Sequence, residues 1–191
     1  KEVVAYNDLA AIIVPLVTEF QGALPGDLLI KMLSSLGSES VTVIEEDNTV
    51  LITGGRSRLK LPKMATSDFI FNAEKAFASD PMSIVEVNAE FLQGMDRCLV
   101  SVGSDPTHPA QMGVTFHASA KGDFLYTTDN YTVSRASLKS VKHTMPTDEY
   151  IIFPTFFCEQ LGLISRGLKD DTIELEYRSG SVLATFSSGV K

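Results

Sequence analysis

The sequence predicts an α+β fold, with helices laid on antiparallel sheets and one such unit used twice in tandem. Three observations carry that reading. In Leu24–Leu36 the apolar residues Leu28, Leu29, Met32, Leu33 and Leu36 recur at three- and four-residue spacing, which makes one stripe along a helix. Two apolar runs, Val41–Ile44 and Val50–Thr53, follow and face each other across the polar turn Glu45–Asn48, as a hairpin does. The same order then returns: Phe153-Pro154 opens Phe156–Ile164, followed by Thr172–Tyr177, Arg178-Ser179-Gly180 and Ser181–Thr185. The two prolines lie 154 − 25 = 129 positions apart, and a spacing of that size marks a repeated fold unit.

In chain order, Glu2 to Tyr6 reads as a strand that turns at Asn7-Asp8 into the apolar run Ala10 to Thr18. Pro25 starts the first helix at no cost, because an amide in the first turn has no intrahelical partner, and Gly37 ends it as a C-cap. The second strand of the hairpin connects through Gly54-Gly55-Arg56-Ser57-Arg58 into Leu59-Lys60-Leu61, which Pro62 stops. From Pro62 to Met82 apolar periodicity is lost, and Phe69, Phe71 and Phe77 are expected to pin this linker to a domain surface. The boundary is placed here, giving domains at 1–70 and 71–191. Beyond it, strand Ile84–Val87 leads to Asn88, the N-cap of an amphipathic helix with Phe91, Leu92, Met95, Leu99 and Val102 on one face. Strands are expected at 113–119, 124–128 and 131–138, separated by turns at 121–123 and 129–130, and Tyr150–Phe153 feeds the second repeat helix.

The comparison extends upstream, where Val3–Asp8 matches Phe124–Asp129. A strand, a helix and a further strand, from Ser83 to His117, precede that point in the second copy and have no counterpart in the first, which opens at Lys1 without an initiator Met. The chain is therefore expected to begin in mid-domain, as a fragment with uncovered apolar surface in its first part.

Composition excludes several classes. With 191 residues, 44% hydrophobic and 21% charged, the chain has the make-up of a globular protein rather than a disordered one. Apolar runs such as Ala10–Leu16 fall far short of the roughly 20 residues that span a bilayer, so no membrane partner and a cytoplasmic location are expected. Cys98 and Cys158 each fall in a predicted helix and lack metal-site spacing, which suits two buried free thiols in a reducing compartment. A net charge of −8 argues against indiscriminate adhesion to nucleic acid while leaving room for a local basic face.

The chemistry of catalysis is not written in the sequence. His108, His117 and His143 form no pair at metal-ligand spacing. The acidic clusters Glu45-Glu46-Asp47, Asp148-Glu149 and Asp170-Asp171 sit in turns or at helix ends, where solvated carboxylates are routine. Gly54-Gly55-Arg56-Ser57 lacks the spacing and the following helix of a phosphate loop. The expectation is a protein with no catalytic residues, no metal and no cofactor.

A tandem helix-on-sheet unit of this kind resembles the bacterial sliding clamp family, the beta subunit of DNA polymerase III. Ile52–Pro62 followed by Ser67-Asp68-Phe69 is similar to the close of that family's first domain, and Met95–Asp105 followed by Gln111-Met112-Gly113 resembles the first helix and loop of its second. Thr128-Asp129 stands where the family has Thr-Asp-Gly-His-Arg, and Phe153-Pro154 where it has Val-Pro. The resemblance is diffuse in each segment and covers almost the whole chain in order. It implies a DNA-clamp (processivity) fold, with 1–70 as the C-terminal part of a first clamp domain and 71–191 as a nearly complete central one.

The resemblance also implies a function: a self-associated ring that encircles duplex DNA without sequence preference and tethers a DNA polymerase and a clamp loader through peptide motifs. On that reading Lys31, Arg97, Arg166 and Lys169 face DNA, and Gln111, Thr128, Asn130, Tyr131, Thr132 and Val133 form the partner-peptide pocket. The pocket departs from the family, since Asn130-Tyr131-Thr132 replaces Gly-His-Arg and Gln111 puts an amide where the family places Leu. A divergent or phage-like clamp would fit. Other readings stay open: a two-domain clamp that closes as a trimer, of phage or PCNA type; a small-ligand or peptide-binding module; and an enzyme on a diverged scaffold.

Overall fold

A computed structural model of the chain describes every residue except Lys1, Asp8, Glu39, Ile70 and 169–171, and the side chain of Asp68. The turn residue Asp8, the acidic pair Asp170-Asp171 and the candidate Lys169 thus lie outside the described residues. The chain divides into two compact units, Lys1–Asn72 and Ala73–Lys191.

The first unit opens with an antiparallel hairpin of β1 (Glu2–Tyr6) and β2 (Ala11–Pro15). β2 is shorter than the apolar run suggests, since it ends at Pro15, which has no N–H to give a ladder. Helix α1 (Gly26–Ser35) has Pro25 at its N-cap, and Gly37 follows its end at φ 57°, a conformation that suits a residue without Cβ. Strands β3 (Thr42–Glu45), β4 (Thr49–Gly54) and β5 (Ser57–Pro62) then form an antiparallel meander in the order β3-β4-β5. Burial alternates along β4, so that Val50 and Ile52 point into a small core with Leu36 and Leu61, on which Leu29 and Met32 of α1 pack.

That core is narrower than the helix stripe predicts. Leu28 and Leu33 are exposed, as are Ile30 and, on the edge strand, Val43 and Ile44. A helix on one three-stranded sheet can seat only the side chains aimed at it, and Leu29, Met32 and Leu36 take those places. After β5, a 3-10 turn (Thr66–Asp68) and one helical turn, α2 (Ala73–Ala76), occupy the stretch read as linker. The ring of Phe71 meets that of Tyr6 with centroids 5.2 Å apart.

The second unit has two four-stranded sheets. One joins β6 (Ser83–Val87), β10 (Lys142–His143), β12 (Ile173–Arg178) and β13 (Ser181–Phe186) in the order β10-β6-β12-β13. The other joins β7 (Gly113–His117), β8 (Asp123–Thr128), β9 (Val133–Leu138) and β11 (Tyr150–Pro154) in the order β11-β7-β8-β9. Every pairing is antiparallel. Two helices, α3 (Ala89–Cys98) and α4 (Thr155–Leu168), pack on the second sheet and on each other. Between the layers, Phe91 of α3 meets Phe116 of β7 and Phe153 of β11 edge-on, with centroids 5.8 and 6.2 Å away, among the wholly buried Met95, Val85, Leu125 and Leu175.

Local chemistry places the helices. The Asn88 side chain accepts the Phe91 N–H at 3.0 Å and so caps α3, while the Glu90 carboxylate accepts the N–H groups of Lys139 and Ser140. α3 buries Phe91, Gly94, Met95 and Cys98. It passes into a 3-10 turn at Leu99–Ser101 instead of running on to Val102. In both units a proline-led helix is followed by an antiparallel hairpin, α1 by β3–β4 and α4 by β12–β13. In the second unit β12 also pairs with β6, whereas β3 is an edge among the described residues.

Candidate functional site

The candidate side chains lie on the helices of each unit and in the loops at the end of the second sheet. On the helices, Lys31 lies on the exposed side of α1 in the first unit, and Arg97 and Arg166 lie on exposed positions of α3 and α4 in the second. Arg97 has no ion-pair partner among the described residues. Arg166 has one: its Nη1 donates to Oδ2 of Asp96 at 3.4 Å, tying α4 to α3. Seventy positions separate the two, so no sequence pattern announces this pair.

The loop group is brought together by backbone geometry. Gln111 ends a short 3-10 turn (Pro109–Gln111), and its carbonyl accepts the Gly103 N–H at 2.8 Å. The next carbonyl, of Met112, accepts both the N–H and the hydroxyl of Thr155, at 3.1 and 2.8 Å, and so joins this loop to the start of α4. From there Gln111 reaches the turn between β8 and β9, donating from Nε2 to Oδ1 of Asn130 at 2.7 Å. The amide at 111 thus has a partner in the same group, a contact 19 positions away in sequence.

Asp129 organises that turn. Its Oδ1 accepts the N–H groups of Thr132 and Tyr131, at 2.6 and 2.9 Å, and the Thr132 hydroxyl at 3.0 Å. These donors, the Thr132 N–H foremost, hold its carboxyl below the usual carboxylate range. The Thr128 hydroxyl donates to the Thr132 carbonyl at 2.9 Å and accepts the Asn130 N–H. Asn130 takes φ 74°, which asparagine tolerates better than most residues with a side chain and which is the natural place for a glycine. Because 129–132 closes on itself, β9 starts at Val133 and not at Tyr131 as the apolar pattern suggests. Tyr131 is left 95% exposed and Val133 74% exposed, two large side chains presented to solvent beside the Gln111–Asn130 bridge.

The other titratable candidates have structural partners. His143 donates from Nε2 to Asp123 at 3.2 Å and accepts the Met145 N–H on Nδ1, and it lies in β10 rather than in a loop. His108 and Asp105 share an exposed turn with Thr107. Cys98 and Cys158 are buried free thiols, and burial pushes the Cys158 thiol up to about 12. No group of acidic, histidine and cysteine side chains able to hold a metal occurs among the described residues.

No protein-family model matches the chain, and no curated protein matches its sequence. Solved structures do match its fold. A DNA polymerase III beta sliding clamp from Pseudomonas aeruginosa, bound to griselimycin, superposes with a TM-score of 0.79 at 16% identity over 99% of this chain and 51% of that one. The Helicobacter pylori beta clamp bound to a DNA ligase peptide gives 0.74 at 16% identity, covering 97% of this chain and 52% of that one. The DNA polymerase III beta subunit from Thermotoga maritima gives 0.75 at 16% identity, covering 99% and 51%. The chain spans about half the length of these structures, and at this identity the likeness is one of fold.

Proposed function

We propose that this chain, which has the sliding-clamp fold, works as part of a DNA sliding clamp: a replicative processivity factor, without a catalytic site of its own, that encircles duplex DNA and tethers a polymerase. The observation that carries the reading is the second unit, a side-by-side helix pair on two four-stranded antiparallel sheets, within a chain whose fold follows clamp structures along 99% of its length. Arg97 and Arg166, with Lys31 in the first unit, would face DNA and make water-screened, sequence-independent phosphate contacts. The 111 and 128–133 group would take a peptide from the polymerase or loader, with Tyr131 and Val133 as its apolar contacts; one clamp that shares the fold is bound to a DNA ligase peptide.

Encirclement makes a specific demand. Retention comes from topology, so direct contacts stay weak and fall steeply with salt. The chain alone is expected to bind duplex DNA weakly, without sequence preference, and to release it as salt rises. Assembled in its ring on circular DNA, it is expected to stay bound until the DNA is linearised. Tight binding of one sequence at physiological salt, or equal loss from circular and linear DNA, would overturn the proposal.

A further inference from the structure

We propose that Asp96 is a built-in competitor for the phosphate contact of Arg166, and so sets how loosely the α3/α4 face holds a duplex; the inference rests on reading that face as the one that meets DNA. The Asp96 side chain of α3 reaches α4 beside the buried Gly162: a Cβ there would lie 3.4 Å from Asp96 Oδ1 and 3.5 Å from Arg166 Nη1. The carboxylate and the guanidinium therefore meet over Gly162. Both remain open to solvent, with side chains 53% and 63% exposed, so a phosphate can reach the arginine that the carboxylate already holds.

The charge balance of the face gives the pair its meaning. The exposed ionised side chains of the two helices are Asp96 and Arg97 on α3 and Glu159 and Arg166 on α4, and their charges cancel. Glu90 is occupied elsewhere, by Lys139 and Ser140. Carboxylate and phosphate oxygens engage the same guanidinium donors. Asp96 holds one of those donors and offsets the charge, so a phosphate has to compete with it, and the net contribution of Arg166 to DNA affinity is reduced by what that exchange costs. For a ring that has to slide, the exchange keeps each contact brief.

A double-mutant cycle tests this, with binding of a labelled mixed-sequence duplex followed by fluorescence anisotropy across a salt series. Asp96→Asn is expected to tighten binding about two- to fivefold, the span of an exposed ion pair, and to steepen the dependence of log K on log salt by about 0.9, one added phosphate contact. Arg166→Ala is expected to change little in the native background and to abolish the whole gain in the Asp96→Asn background. Glu159→Gln, which removes the same charge from the same helix pair at a carboxylate with no ion pair among the described residues, is the control. A gain in Asp96→Asn that survives Arg166→Ala, or that Glu159→Gln equals, overturns the competitor role and leaves the DNA-facing reading standing. If neither the native chain nor Asp96→Asn binds duplex at low salt, the DNA-facing reading falls and takes the competitor role with it.

Discussion

Backbone N–H groups hold the side chains of Asn88, Glu90, Asp105 and Asp129 in place. Asp129 is the clearest case, because its carboxylate closes the 129–132 turn and presents Tyr131. Its folded pKa is depressed, so its stabilising effect is present above the ordinary aspartate value, near about 4, and is lost as pH falls through the lower folded value. In an NMR titration the Tyr131 and Thr132 amides are expected to shift only below the range of a free aspartate; shifts centred at the ordinary value would count against the turn. The thiols make a second test. Burial raises the pKa of both, Cys158 to about 12, so little thiolate exists at neutral pH and reagents cannot reach the sulfur. A thiol-disulfide reagent is expected to label neither cysteine on the time scale on which it labels both in denaturant, and rapid labelling of the folded chain would show that the α3 and α4 cores open easily.

At the scale of elements, close approach decides which positions tolerate a side chain. Gly113 starts β7 opposite Pro154 of β11, and a Cβ there would come within 2.4 Å of the Phe153 carbonyl oxygen, a backbone atom that cannot step aside. An alanine would gain about 0.4–1 kcal/mol from a stiffer unfolded chain, and that is smaller than the roughly 1–3 kcal/mol cost of overpacking. Gly113→Ala is therefore expected to lower the urea midpoint clearly. Gly94→Ala, whose Cβ would meet side-chain atoms of Ala136 and Leu125 at 3.1 and 3.2 Å, should cost less. The reverse order would mean that the β7–β11 edge adjusts more readily than the seat of α3. The helices themselves were legible from spacing and caps: Asn88 caps α3, and Pro25 and Pro154 stand immediately before α1 and α4. Their ends were less so, because α3 tightens into a 3-10 turn at Leu99–Ser101, where the Thr127 hydroxyl of β8 donates to the Cys98 carbonyl and the Ser101 hydroxyl meets that of Ser134 on β9.

Over the whole molecule, the two units differ in how much core they own. The first rests on Leu36, Val50, Ile52 and Leu61 with partly buried neighbours, while Leu9, Val17 and Ile30 stand in solvent; the second encloses a far larger set around Phe91, Phe116 and Phe153. Amides of β4 are accordingly expected to exchange hydrogen faster than those of β7 and β12, and samples to self-associate as concentration rises through the exposed apolar surface of the first unit. Uniform protection across both units in a dispersed sample would contradict this. The sequence by itself determined the helix-and-hairpin units and their tandem order, because three- and four-residue spacing, alternation, prolines and glycines act within a few residues of chain; the sliding-clamp fold was legible only through the resemblance of segments such as Ile52–Pro62 and Met95–Asp105 to that family. Only the tertiary structure decided that Leu28 and Leu33 stay outside the core, that Gln111 bridges to Asn130 and that Asp96 faces Arg166. Those outcomes depend on which surfaces the fold brings opposite one another, and residues 19 or 70 positions apart carry no mark of it in their spacing.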